Sequence, residues 1–123
     1  MRYGGNDMKH IDITTFTMQA MRNACANMPP DATVGLPFLA FNCPIARMVR
    51  AMYVQDGVHV AFVQGRIVHV WFYDGTSQRC PLPTWAILIA EMSDVISDGQ
   101  PITAGMLLEM FDRIDQLKGV KVA

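Results

Sequence analysis

Charge is what this sequence has least of. Lys, Arg, Asp and Glu make up 17% of its 123 residues, against a usual fraction of about 25%. The two signs nearly cancel, leaving a formal net charge of −1. Residues 43–83 are mildly basic, with four arginines against two aspartates, and residues 84–123 are mildly acidic. No cluster of Lys or Arg occurs. A nucleic-acid partner needs a basic patch or stripe against its phosphates, so none is expected.

Long apolar runs are also missing. No segment approaches the ~20 residues that cross a bilayer, and MRYGGNDMKH lacks the apolar core of a signal peptide. No membrane partner is expected. Cysteine is scarce: Cys25, Cys43 and Cys80, none spaced as CxxC. An odd count without a leader fits a reducing, cytoplasmic setting. Phosphate-cradling glycine motifs are absent, so no cofactor is expected.

What is present is apolar. Hydrophobic residues reach 51%. A chain this long buries about two-thirds of its unfolded surface, enough for one core without staples. With so little charge to cover the outside, association is expected, most simply as a homodimer.

The chain is organised around residues 58–74, VHVAFVQGRIVHVWFYD. Branched and aromatic side chains fill both halves, which suits a pleated sheet. Gln64-Gly65 marks the turn. A three-residue loop would put Val58, Val60, Phe62, Val68, Val70 and Phe72 on one face. His59, Ala61, Ile67, His69, Trp71 and Tyr73 would then share the other. A two-residue loop at Gln64-Gly65 would mix these sets, because a one-residue slip exchanges faces. The first arrangement is preferred for its fully apolar side.

Around this hairpin, residues 1–12 read as a flexible tail, 13–119 as a single α+β domain and 120–123 as a short tail. Met8 is an alternative start. Thr14 or Thr15 caps a helix to about Met28, with Met18, Met21, Cys25 and Met28 on one face. That methionine-rich stripe reads as core, or as an adaptable binding surface. Val34–Phe41, broken by Gly35 and Pro37, reads as an edge strand or extended segment. Residues 44–55 fit two patterns. Ile45, Met48, Val49, Met52 and Tyr53 have helical spacing behind Pro44. Asp56-Gly57 before the next apolar run favours instead a strand over 47–54 and a hairpin. Residues 76–83 read as a loop. Helices follow over 85–97, capped by Thr84, and from Thr103 to Lys118, stopped by Gly119. The expected fold is α+β: an N-terminal helix, an antiparallel β-meander of three to four strands and a C-terminal antiparallel helical hairpin.

Chemistry is thinly represented. His59 and His69 could share an ion across the hairpin, with Asp56, Asp74, Cys43 or Cys80 adding ligands, but half-buried strand histidines are the plainer reading and no metal is expected. No cysteine sits in a nucleophile setting. The expected function is therefore non-enzymatic: an accessory, regulatory or inhibitor module, such as mobile elements carry, that binds another protein. Trp71, Tyr73, His59, His69 and Arg47 are the candidate partner-binding residues, because interface cores are enriched in aromatics and Arg. The alternative is a small-ligand- or metal-binding domain, enzymatic or not, on the central hairpin, lined by His59, His69, Trp71 and Trp85.

Overall fold

The computed structural model describes residues 10–122, with side chains to residue 117. In chain order the elements are α1 (Met18–Ala26), β1 (Thr33–Gly35), α2 (Pro44–Met52), β2 (Val58–Gln64), β3 (Ile67–Phe72), β4 (Ser77–Pro81), α3 (Thr84–Ile96), β5 (Ile102–Thr103) and α4 (Ala104–Val122). The fold is α+β. β2, β3 and β4 form an antiparallel meander, and β1 and β5 form a separate two-stranded ladder. α2 packs on β2, β1 and α3, while α4 packs on both α1 and α3.

Three of the four helix starts have a side-chain cap; α3 is the exception, since Thr84 is its first residue behind Pro83 and makes no cap bond, so Thr84 does not cap it as expected. Thr17 accepts a bond from the Ala20 N–H and opens α1 later than expected, after one 3-10 turn at Ile13–Thr15. Cys43 caps α2 with its sulfur, 3.4 Å from the Ala46 nitrogen, and Pro44 takes the first helical position. Thr103 accepts from the Met106 N–H at 3.2 Å and caps α4 as its sequence position suggested. α4 continues past Gly119 to Val122 rather than stopping there. Inside a helix a single glycine weakens the end without breaking it.

Residues 44–52 are the main correction to the sequence reading. They form a helix, not the strand expected over 47–54. The helical stripe wins because Ile45 and Val49 are fully buried and Met48 and Tyr53 nearly so. Each such side chain contributes about 1.5–3 kcal/mol when buried. Asp56-Gly57 is no hairpin turn. It closes a 3-10 turn at Val54–Asp56, with Gly57 left-handed at φ 92° and its N–H donating to the Val54 carbonyl. The third meander strand lies instead on the far side of the hairpin. Residues 77–81, expected as loop, pair with β3, placing Val68 opposite Cys80 and His69 opposite Arg79.

The hairpin register matches neither arrangement weighed from the sequence. Gln64 pairs with Ile67 across a two-residue Gly65-Arg66 loop. Gly65 has φ +61°, the geometry a type II′ turn demands at its first central position. Further along, the register shifts between Val58 and Val60, so that His59 is an extra residue. A bulge of this kind resets the alternation. Val58, Ala61, Val68, Val70, Phe72 and Cys80 are buried beneath the sheet. Val60, Phe62, Ile67, His69 and Trp71 alternate with them onto the outer face. Phe62 is therefore outside and Ala61 inside, the reverse of the expected sets.

The N-terminal segment is sewn onto this frame. Ile11 is 4% exposed. Its backbone N–H donates to the Gln78 side-chain oxygen at 2.8 Å, and its carbonyl accepts from the same amide at 3.0 Å. Tyr53 Oη lies 2.7 Å from Thr15 Oγ1 and donates to the Asp12 carbonyl at 3.2 Å. The expected tail thus falls outside the described residues for 1–9, as does the alternative start at Met8. The expected tail at 120–123 has no described side chains.

Candidate functional site

The outer face of the meander carries a continuous group of rings. β3 is the central strand, and its outward side chains are Ile67, His69 and Trp71. Opposite them on β2 stand Gln64, Phe62 and Val60. Phe62 stacks on Trp71 with 5.3 Å between ring centres and an 18° interplanar angle. His69 meets both edge-on, at 4.8 Å from Phe62 and 5.6 Å from Trp71. Phe41, in the loop before α2, extends the group 5.2 Å from Phe62. Cross-strand aromatic pairs stiffen a sheet surface, each contributing on the order of 0.5–1.5 kcal/mol.

Much of this surface faces outward. Phe41 is 51%, Trp71 37% and Tyr73 70% exposed. At ~200 Å² per ring, these three alone expose about 300 Å² of aromatic surface, on a par with the largest patch of many monomers. On the β4 side the face ends at Ser77 and Arg79, both exposed.

The candidate residues from the sequence divide accordingly. His69 and Trp71 lie together on the face. Tyr73 follows directly after β3, with its ring 4.4 Å from that of His59, which occupies the bulge. Arg47 is elsewhere, on α2. Trp85 is elsewhere too: at the start of α3, 5.0 Å from Phe16 and 6.4 Å from Phe111. The aromatic cavity imagined from His59, His69, Trp71 and Trp85 is not assembled. Phe41 and Phe62 join the face instead. Their signal was weak, since Phe41 sits in an irregular loop and Phe62 changed sides with the register.

The two histidines do not stand across from one another. His69 pairs with Phe62, and His59 neighbours Tyr73. Among the described residues no three His, Cys, Asp or Glu side chains are grouped to hold a metal ion. The three cysteines are free and buried. Burial pushes each thiol above its ordinary range. A nucleophilic cysteine requires the opposite, a stabilised thiolate in reach of solvent.

Two concavities also open among the described residues. The first, about 400 Å³, lies between the loop before α2, the hairpin tip and α3. Phe38 borders it in a left-handed conformation, φ 63°, held by a 3.0 Å bond from its N–H to Asp94. The second, about 360 Å³, lies between α1, β1 and α2 and includes Arg47. Comparison with protein-family models, with curated proteins and with solved structures finds no match to this chain. Among the described residues no helix is long and apolar enough to cross a membrane.

Proposed function

We propose that the protein is a non-enzymatic interaction module, acting through the outer face of its meander and self-associating as a two-fold homodimer across that face. The observation that carries this reading is the ring group of Phe41, Phe62, Trp71 and His69, half-buried to exposed, with the exposed Tyr73 following β3 beside His59. Large rings with few internal rotations dominate binding energy at protein interfaces, and they do so best at the centre of a patch. The face is mostly apolar, with Arg79 at its β4 edge, so charge repulsion between two copies is small.

The size is adequate for a modest interface. A standard one buries about 800 Å² on each side. The ~300 Å² from three rings would supply more than a third of that, with Val60, Phe62, Ile67 and the loop around Phe41 adding to it. A two-fold arrangement would also cover the surface that a charge-poor chain leaves unprotected. An inhibitor or regulatory role toward another protein would use the same face, with the dimer as its resting state.

Sedimentation velocity across a concentration series tests this. The wild type is expected to be a dimer that dissociates on dilution, and Tyr73→Ala and Trp71→Ala are expected to shift it to monomer with the circular dichroism spectrum unchanged. A wild type that stays monomeric at its highest soluble concentration removes the homodimer. Variants that dimerise normally remove the face.

A further inference from the structure

The groove between α1, β1 and α2 is apolar apart from a single cation and one hydroxyl. Its walls are Ala24, Met28, Val34, Met48, Ala51 and Met52, with Thr33 at one edge and a single charged side chain, Arg47. No acid lines it. α2 itself carries Arg47 and Arg50 and no carboxylate. Among the described residues Arg47 forms no ion pair. Its Nε is buried without a hydrogen-bond partner.

Arg22 Nε is buried and unbonded in the same way while its Nη2 holds Asp115, so it is the lack of any carboxylate partner among the described residues, more than the orphan Nε, that sets the Arg47 guanidinium apart. The guanidinium is a planar fork of donors that matches the two oxygens of a carboxylate. The three methionines around it are flexible and polarisable, so they adapt to an apolar body of irregular shape. At about 360 Å³ the groove is at the small end of ligand sites. A long chain or a helix of a partner would overfill it.

We propose that this groove binds a small apolar carboxylate of the medium-chain fatty-acid type, with Arg47 holding the carboxylate and Met28, Met48 and Met52 enclosing the hydrocarbon. This site is separate from the aromatic face of the meander and does not depend on the dimer. It also gives a use to the outer end of the α1 methionine stripe. Met21 and Cys25 of that stripe are buried core, whereas Met28 is 36% exposed at the groove.

The test is a titration of protein carrying 13C-methyl methionine with octanoate, beside 1-octanol and octylammonium at equal concentrations. Octanoate is expected to shift the methyl signals of Met28, Met48 and Met52 saturably, leaving the buried Met21 and Met110 in place. The alcohol and the amine are expected to bind at least tenfold more weakly. Arg47→Gln is expected to weaken octanoate at least tenfold, and Arg47→Lys less. Ala51→Phe, on the exposed side of α2, is expected to block the groove with the helix intact, so the proposal stays testable even if Arg47→Gln unfolds. Equal binding of octanol, shifts spread over all methionines, normal affinity in both Arg47→Gln and Ala51→Phe, or no saturable shift would each overturn the assignment.

Discussion

Gly35→Ala puts the packing of β1 on α2 to the test. A Cβ built on Gly35 would lie 2.5 Å from the Pro44 backbone nitrogen and 2.6 and 2.7 Å from two of its ring carbons. Neither the backbone nor a proline ring can rotate aside. Ordinary contact begins near 3.4 Å, so the two elements would have to separate by about 0.9 Å. α2 cannot follow freely, because Ile45 and Ala46 immediately after Pro44 are fully buried. Overpacking of this kind costs about 1–3 kcal/mol. Loss of glycine's freedom in the unfolded chain returns about 0.4–1 kcal/mol. A net loss of about 1.3 kcal/mol is expected, or a melting temperature about 5 °C lower for a domain this long. Thermal and urea unfolding measure it. Gly105→Ala is the control. Its Cβ would lie 3.1 Å from the Pro30 carbonyl oxygen, but it sits in α4 where alanine is favoured by up to ~1 kcal/mol. Gly105→Ala should stay within about 1 kcal/mol of wild type. If Gly35→Ala is as stable as the wild type, the close approach of β1 to α2 is wrong.

Three further outcomes are expected. Tyr73→Ala should weaken self-association by about 30-fold, the equivalent of a ~2 kcal/mol interface anchor, while stability stays within about 0.5 kcal/mol, as for an exposed position; paired sedimentation and melting experiments read both. Tyr53→Phe removes the bonds to Thr15 and the Asp12 carbonyl and should cost about 1 kcal/mol in urea unfolding. Burial raises the pKa values of Cys25, Cys43, Cys80 and Tyr53. Their folded values therefore lie above their unfolded ones, so stability is fully present below the unfolded thiol range near pH 8.5 and falls as pH rises through the folded values. The urea midpoint should hold between about pH 7 and 8 and drop by about pH 10, and a flat profile would contradict the burial.

The sequence was legible where periodicity and turn chemistry agreed. α3 and α4 repeat apolar residues at helical spacing, Thr103 is placed to cap, and Gly65 sits where a tight turn needs a positive φ. It was ambiguous where two templates fitted equally. Residues 45–53 satisfy a helix and, with one exception, a strand, and Asp56-Gly57 ends either element. Only the depth at which Ile45 and Val49 are buried separates them, and that depends on distant parts of the chain. β4 was hidden because Ser77–Pro81 is polar and contains proline, as an edge strand can afford to be. The outer face was half legible. His69 and Trp71 share it under either register, but Phe62 joins them because the two-residue turn falls at Gly65-Arg66 and sets the register, while the bulge at His59 turns only Val58 back to the core. Arg47 belongs to a surface of its own, because its segment is a helix packed under the sheet and not a strand of it.

The β1–β5 ladder has a kinetic consequence. Its strands are two and three residues long, yet joining them closes a loop of about 70 residues, at a chain-closure cost of roughly 4 kcal/mol. Two residue pairs cannot offset that alone, so the ladder must wait until α1 and α4 have met. The meander needs no such delay, because its turns are local. Contacts that form after the rate-limiting step govern how fast a protein comes apart, not how fast it assembles. Gly35→Ala should accordingly leave the refolding arm of a chevron plot in place and raise the unfolding rate about 10-fold, making this short ladder the latch that sets the lifetime of the folded chain.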